Sequence, residues 1–439
     1  MFMRRSLLGL ILVVALVFSG VCLIINKASI GSTADKNDTE HIKNNTSNII
    51  DPNNHHKIIN YDEVKAIWVS QFDMSAIYTE AGRQRDVEDY TKKVEKMVSN
   101  ICSLGINTVI FQLRPNGDSI YPSALYPTSK YVTDGYGKEA EYDPFAIFLE
   151  IAHRYSLSVH AWINPLRCMS ETDIALIDNT YKIKNWYLSE YGKYIVAVNG
   201  MLYLNPAYKE VRELICDGVA EILNLYEVDG IHMDDYFYPT TDTSFDSSAY
   251  SLYKEKGGEL SLADFRRESI DALVNEIYDT VKAKNKDILF GISPGGNTDR
   301  NYNELYADVA KWCQNKGYID YICPQVYFGF EHETRPFDQI CEEFSDMTES
   351  SEVKLIIGIT LGKAYDAHRG AEDIWAGTGA KEWIENKDIL VRSLRYANGI
   401  KNCSGVAIFS YRLIFDPLSG ERVEQTATEC QTFLPLLKE

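Results

Sequence analysis

Eight short apolar runs rich in β-branched and aromatic residues alternate with segments of helical period, and this alternation constrains the chain more than any other feature. The runs are Ala66 to Gln71, Thr108 to Leu113, Ser158 to Ile163, Gly230 to Asp234, Ile288 to Ser293, Tyr321 to Val326, Leu355 to Thr360 and Gly405 to Ser410. Between them, amphipathic patterns predict helices at Val87 to Leu104, Pro144 to Ser156, Tyr208 to Tyr226, Leu262 to Lys284, Tyr302 to Asn315, Phe337 to Met347 and Ala380 to Ala397. Strands that are apolar on nearly every residue are buried on both faces, as in a parallel sheet covered by its own crossover helices. Eight such units over about 350 residues predict an α/β fold, a (β/α)8 TIM barrel with enlarged βα loops. An open doubly wound sheet is the rival, but no G-x-G-x-x-G follows the first strand and no P-loop occurs.

The fold is expected to begin late. Arg4 and Arg5 precede an uncharged run from Leu7 to Ile25, long enough to span a bilayer, so residues 1–25 read as a signal-anchor or signal peptide. Cys22 invites a lipoprotein reading, yet Val21 stands before it where a small residue is expected. Residues 26–60 are rich in Asn, Ser, Thr, Asp and His without hydrophobic period, which predicts a disordered tether. The barrel is then expected over residues 61–439 with a C-terminal helix. The basic flank places the N-terminus in the cytoplasm and the barrel on the extracytoplasmic face of the cell membrane, or secreted if the segment is cleaved.

A net charge of −19 over 439 residues, without clustered Lys and Arg, argues against a nucleic-acid partner. The 9 Cys form no C-x-x-C pair, so neither a zinc site nor a disulfide framework is signalled. His232-x-Asp234 has no evident third ligand, and no metal or other cofactor is expected.

In a barrel, chemistry gathers at the C-terminal ends of the strands. Here those ends carry Asp73; Gln112, Arg114 and Asp118; Trp162, Asn164 and Arg167; Asp234, Asp235 and Tyr236; Ser293 with Gly295 and Gly296; Gln325 and Tyr327; and Ser410, Tyr411 and Arg412. The densest is V-D-G-I-H-M-D-D-Y-F-Y-P, Val228 to Pro239, where an apolar strand ends in two adjacent carboxylates. Two acids at the tip of a buried strand cost desolvation and repulsion, which a fold tolerates mainly where a shifted pKa serves proton transfer or a cation sits between them. Equally, one Asp could cap the loop while the other is solvated. Arg114, Asn164 and Arg167 could clamp hydroxyls or a carboxylate of a ligand, with Arg114 equally readable as a tie to Asp118, and Trp162 reads as a stacking platform or a barrel plug. His160 and His232 read as core histidines.

The runs FQLRPNGDSIYPS (Phe111 to Ser123), HAWINPLR (His160 to Arg167), YLNPAYKEVRELI (Tyr203 to Ile215), DGIHMDDYFYP (Asp229 to Pro239), DYICPQVYF (Asp320 to Phe328) and GVAIFSYR (Gly405 to Arg412) resemble the glycosyl-hydrolase-like family ten of β/α barrels. The likeness spans roughly Tyr61 to Pro417. It implies a glycosidase fold and a polysaccharide substrate, the peptide-free glycan strands of peptidoglycan.

Most glycoside hydrolysis uses two carboxyl groups flanking the scissile bond. Consecutive residues do not flank a sugar symmetrically, and the sixth strand offers Gln325 and Tyr327 with no carboxylate until Glu331. This suggests substrate assistance, in which the sugar's 2-acetamido oxygen attacks the anomeric carbon. By analogy with N-acetylhexosaminidases, Asp234 would hold the acetamide, Asp235 would be the general acid and Tyr327 would bond the acetamide oxygen. The expected substrate-binding set is Asp73, Gln112, Arg114, Asp118, Trp162, Asn164, Arg167, Tyr236, Gln325 and Tyr411. A non-catalytic glycan-binding barrel and an α-glucan hydrolase using Asp234 as nucleophile with Glu331 remain alternatives.

Overall fold

The computed structural model describes residues 57–370 and 379–438. The predicted membrane segment and most of the predicted tether lie outside them, and no helix among the described residues is long and apolar enough to cross a membrane. The folded part starts before Tyr61, because the Ile59 N–H donates to Asp229 Oδ1 at 2.7 Å and Asn60 Nδ2 to the Asp287 carbonyl at 2.8 Å.

The eight expected strands form a closed parallel barrel: β1 (Val64–Val69), β2 (Thr108–Arg114), β3 (Ser158–Ile163), β4 (Gly230–Met233), β5 (Leu289–Ile292), β6 (Tyr321–Ile322), β7 (Lys354–Thr360) and β8 (Cys403–Phe409). They are covered by helices α1 (Val87–Ser103), α2 (Pro144–Arg154), α3 (Lys209–Leu225), α4 (Leu262–Lys284), α5 (Val309–Gln314), α6 (Phe337–Thr348), α7 (Ile389–Gly399) and α8 (Ala427–Leu436). β1 pairs with both β2 and β8, which closes the ring. The helices start where the sequence supplies caps: Asp86 accepts from the Glu88 and Asp89 amides before α1, and Asp143 from Phe145 and Ala146 before α2.

Three elements depart from the sequence pattern. The helix expected over Tyr302 to Asn315 is two, Thr298–Asn303 and α5, because Tyr306 takes φ +54° and Asp308 then caps α5 through the Lys311 amide. Ala380 to Ala397 likewise divides into Ala380–Glu385 and α7, with extended backbone at Asn386 between them. β6 stops early because Pro324 has no N–H for the ladder; its carbonyl still accepts from Gly358 at 3.0 Å, and Gln325 rejoins as an isolated bridge. The enlarged loops are real. The third carries an antiparallel sheet of Arg167–Ser170, Ile195–Val198 and Met201–Leu204.

Alternation along each strand sorts side chains into two layers. Ile67, Val109, Phe111, Val159, Ile231, Phe290 and Ile357 face the helices in the large core, whereas Ala66, Trp68, Ile110, Trp162, Tyr321, Ile356 and Ala407 fill the barrel. At the barrel's centre the Tyr321 hydroxyl lies 2.8 Å from both His160 Nδ1 and His232 Nδ1, and Trp68 Nε1 donates to His232 Nε2 at 3.4 Å. The Trp68 donor fixes the tautomers: His232 carries its proton on Nδ1 and donates to Tyr321, whose O–H donates to His160. Burial keeps both imidazoles neutral, lowering His160 to about 4 and His232 well below its usual value. The two histidines are thus core residues.

These rings fit because facing positions are glycine. A Cβ on Gly291 would lie 2.0 Å from the Tyr321 ring, and one on Gly230 2.7 Å from His160. We predict that Gly291→Ala lowers stability by about 2 kcal/mol or more through overpacking, read as a lower melting temperature by calorimetry. An unchanged melting temperature would contradict this packing.

Candidate active site

Strand parity builds the site. On β2, β3 and β4 the inward residues nearest the C-terminal mouth are Gln112, Asn164 and Asp234, all at most 5% exposed. They form a directional chain: the Gln71 amide donates to Gln112 Oε1 at 3.0 Å, Gln112 Nε2 to Asn164 Oδ1 at 2.7 Å, and Asn164 Nδ2 to Asp234 Oδ2 at 2.5 Å. Each amide can satisfy both neighbours in one orientation only, so the chain aims a fixed N–H at the carboxylate. Asp234 Oδ1 also accepts the Tyr236 amide at 3.2 Å. Asp235, two residues beyond the strand end, is partly exposed and receives the Gln325 side chain, whose Nε2 also donates to the Ser293 carbonyl at 3.1 Å.

Burial pushes both carboxyls up. For Asp234 desolvation is the larger cause and the neighbouring Asp235 charge the second, against the Asn164 and Tyr236 hydrogen bonds and Arg167, and its pKa rises to about 7. Asp235 is raised by desolvation against Gln325, Arg300 and Arg167. Two adjacent carboxyls, each driven toward the neutral acid by burial, resist joint ionisation and titrate as a pair. Tyr327 lies in the field of both aspartates, and its phenol, raised well above the usual range chiefly by burial, stays a donor.

Around the pair, the Arg167 guanidinium sits over the Tyr236 ring at 4.6 Å, and Tyr236 is 43% exposed at the mouth. Trp162 is 6% exposed in the barrel interior with its indole N–H unpartnered among the described residues, so it fits the plug reading, with a donor to spare. Tyr327 packs against Phe409 with ring centroids 6.0 Å apart.

Four expected binding residues lie elsewhere. A β-bulge between Gln112 and Arg114 turns Arg114 outward, where it sits 4.3 Å over the Tyr126 ring against a notch left by Gly218 on α3. Asp118 is fully buried, accepting the Asn116 amide at 2.8 Å and the Tyr136 hydroxyl at 2.8 Å; it organises its own loop and does not bind Arg114. Asp73 is fully buried too. It accepts the Ser70 amide, Ser70 Oγ, Ser410 Oγ and the Arg412 amide, stapling the end of β1 to the end of β8. Tyr411 is 0% exposed, with its hydroxyl on Asn100 Nδ2 of α1 at 3.1 Å and its ring stacked on Phe415. Asp73, Asp118 and Tyr411 use their polar atoms in structural bonds and Arg114 stacks in the helix layer, roles that a strand-end position alone does not distinguish from binding.

Arg300 was not expected here. It belongs to the short helix Thr298–Asn303 and pairs with Glu304 at 3.4 Å, which in sequence reads as a solvated face, yet its charge favours ionised Asp235. Glu331 is exposed, its amide held by buried Glu382.

The sequence profile of the family described as "Glycosyl hydrolase-like 10" matches residues 63–376. The chain belongs to that family. It is 31% identical over 332 residues to the glycosyl hydrolase YngK of Bacillus subtilis (strain 168), covering 72% of this chain and 63% of that protein's length. To the glycosyl hydrolase DigH of Escherichia coli (strain K12) it is 29% identical over 342 residues, covering 73% of this chain and 75% of the relative. In fold it is similar to the glycoside hydrolase domain of PgaB (BpsB) from Bordetella bronchiseptica, with TM-score 0.55 and 12% identity over 84% of this chain and 98% of that one. The catalytic domain of β-amylase from Paenibacillus polymyxa gives the same TM-score at 9% identity, over 86% and 100%. These two likenesses concern the fold alone.

A raised carboxyl pKa makes stability fall with pH. Folding lifts Asp234 above its unfolded value, so the stability it contributes is complete below about pH 4 and is lost as pH rises through about 7. Asp234→Asn removes that titration. The loss of one accepted hydrogen bond is constant with pH, so the slope is diagnostic: relative to wild type the variant should gain on the order of 2 kcal/mol between pH 4 and 8. Denaturant titrations across that range measure it, and parallel pH curves would refute a strongly raised Asp234.

Proposed function

We propose that this chain is an extracytoplasmic glycoside hydrolase of N-acetylated cell-wall glycans, with peptide-free peptidoglycan strands as substrate, held at the membrane by its N-terminal apolar run. The observation that carries this reading is the adjacent pair Asp234 and Asp235 at the barrel mouth, both driven toward the neutral acid yet held by different partners. Family membership and two relatives named glycosyl hydrolases support the activity class.

The mechanism that fits the pair is substrate assistance. Asp234 is oriented by Asn164 and the Tyr236 amide, which suits a carboxylate that must meet an acetamide N–H at a set angle. That N–H adds another donor to Asp234, favours its ionised form and leaves the proton on Asp235, which is nearer the opening. The acetamide oxygen, held by the Tyr327 hydroxyl, attacks the anomeric carbon as Asp235 protonates the departing glycosidic oxygen; the leaving sugar departs as an alcohol, and the attacked sugar stays bound as a cyclised acetamide whose N–H meets Asp234. Water, deprotonated by Asp235, then opens that ring. Gln325 keeps Asp235 aimed at the reacting oxygen.

Asp234→Asn should slow cleavage by about 10²-fold or more, as expected for removing one electrostatic stabiliser of the transition state, and a thiazoline mimic of the cyclised acetamide should lose most of its affinity. Asp235→Asn should spare an aryl glycoside whose leaving group needs no proton far more than the natural glycan. Reducing-end release from peptide-free wall glycan, with starch as the comparison, reads the activity. A sugar ester trapped on either aspartate would favour a protein nucleophile; binding without cleavage would favour a glycan-binding barrel; cleavage of starch alone would favour an α-glucan hydrolase.

A further inference from the structure

Beside the aspartate pair, between the C-terminal ends of β7 and β8, lies a cavity of about 340 Å³ lined by Thr360, Tyr365, Asp366, Arg369, Phe409 and Arg412 among others. Phe409 links it to the pair: its ring lines the cavity and also packs against Tyr327, which lies in the field of both aspartates. The volume is at the lower end of that of small-ligand pockets and suits one sugar ring.

The cavity presents two guanidinium groups without carboxylate partners. Arg369 lies 5.5 Å from the Tyr365 ring centroid and Arg412 5.3 Å from that of Phe72, so each is supported by an aromatic ring. Among the described residues neither guanidinium pairs with a carboxylate or donates a hydrogen bond, although many other arginines of this acidic chain do, including Arg85, Arg154, Arg212, Arg266 and Arg335. A stacked guanidinium keeps its in-plane N–H fork free, the geometry that takes a carboxylate bidentately. Asp366 is the one acid lining the cavity; it offers an acceptor for a sugar hydroxyl or amide and leaves the cationic groups in excess.

We propose that this cavity is a subsite for an anionic sugar, in which Arg369 and Arg412 bind a carboxylate while Tyr365 and Phe409 face the ring. It rests on the glycan reading above and deepens it: of the two sugars in a peptide-free wall strand, the muramic residue with its lactyl carboxylate occupies this position, and the cleaved bond follows from that register. The subsite takes over the carboxylate-binding role expected of Arg114, Asn164 and Arg167, of which Arg114 faces the helix layer.

The test uses the full chain carrying Asp235→Asn, so that binding is read without turnover, and two probes: peptide-free wall glycan, and the same glycan with its carboxyls reduced to alcohols. Calorimetry should show the native glycan binding roughly tenfold or more tighter than the reduced one, the order expected for a charge-assisted pair. Adding Arg369→Gln and Arg412→Gln should erase that ratio by weakening only the native glycan, with thermal unfolding unchanged because both side chains are exposed. Arg-to-Lys versions should restore part of it. A ratio near one in the parent, or a ratio that survives both substitutions, overturns the subsite while leaving the glycosidase reading intact. If neither glycan binds, the substrate class fails and the subsite with it.

Discussion

Everything at the mouth depends on which way the strand residues face, and that is fixed by the space inside the barrel. Trp68, Trp162 and Tyr321 are large for the interior of an eight-stranded barrel, and they fit because Ala66, Gly230, Gly291, Gly358 and Ala407 stand opposite. With those positions inward, parity dictates that Gln112, Asn164 and Asp234 are inward as well, one layer higher. A one-residue slip would bury Leu113, Ile163 and Met233 in the mouth and turn the polar set into the helix layer, so the packing and the chemistry share a single register.

The same rule accounts for what the sequence disclosed and what it withheld. All eight strands, and most of the helices, were legible because burial on two faces imposes continuous apolar runs and the helices carry their own caps. Asp234 and Asp235 stood out as a candidate site because two acids are costly at the end of such a run. The orientation of Arg114 was not legible, since it depends on a bulge that no side-chain pattern announces. Asp73 and Asp118 were misread for a related reason: a carboxylate accepting several donors serves a turn as well as a ligand; Asp118 takes its donors from its own loop, and two of those on Asp73 become visible only when β1 and β8 are adjacent. Long-range partners chosen by closure of the barrel are the part a linear reading lacks. The same holds for Arg300 and for the cavity between β7 and β8.

Charge distribution adds a second layer to this logic. The chain is strongly acidic, so a neutral or anionic glycan gains no general attraction to it. Individual arginines are placed at the mouth instead: Arg167 and Arg300 act on the aspartates, and Arg369 and Arg412 line the neighbouring cavity. Arg167 is itself held over Tyr236 and, among the described residues, forms no salt bridge to the pair. That distance matters. A direct ion pair would pull an aspartate well below the usual carboxylate range and remove the proton that acid catalysis requires, whereas a charge acting through space limits the mutual repulsion and leaves burial in control of the pKa.

Burial and hydrogen bonding therefore act in opposition on one carboxylate, and the balance sets its use. Asp234 receives two donors, enough to fix its orientation but too few to overcome desolvation beside a second acid. Asp73 is equally buried and is also pushed up by desolvation, but it receives four donors, so its oxygens are saturated by the protein and none is left for a ligand. The comparison gives a physical criterion for separating structural from reactive acids at barrel strand ends: count the donors the fold supplies. A carboxylate with its acceptor sites filled is a staple, and one left short, in a place where burial makes the shortage costly, is poised for a donor that arrives with the substrate.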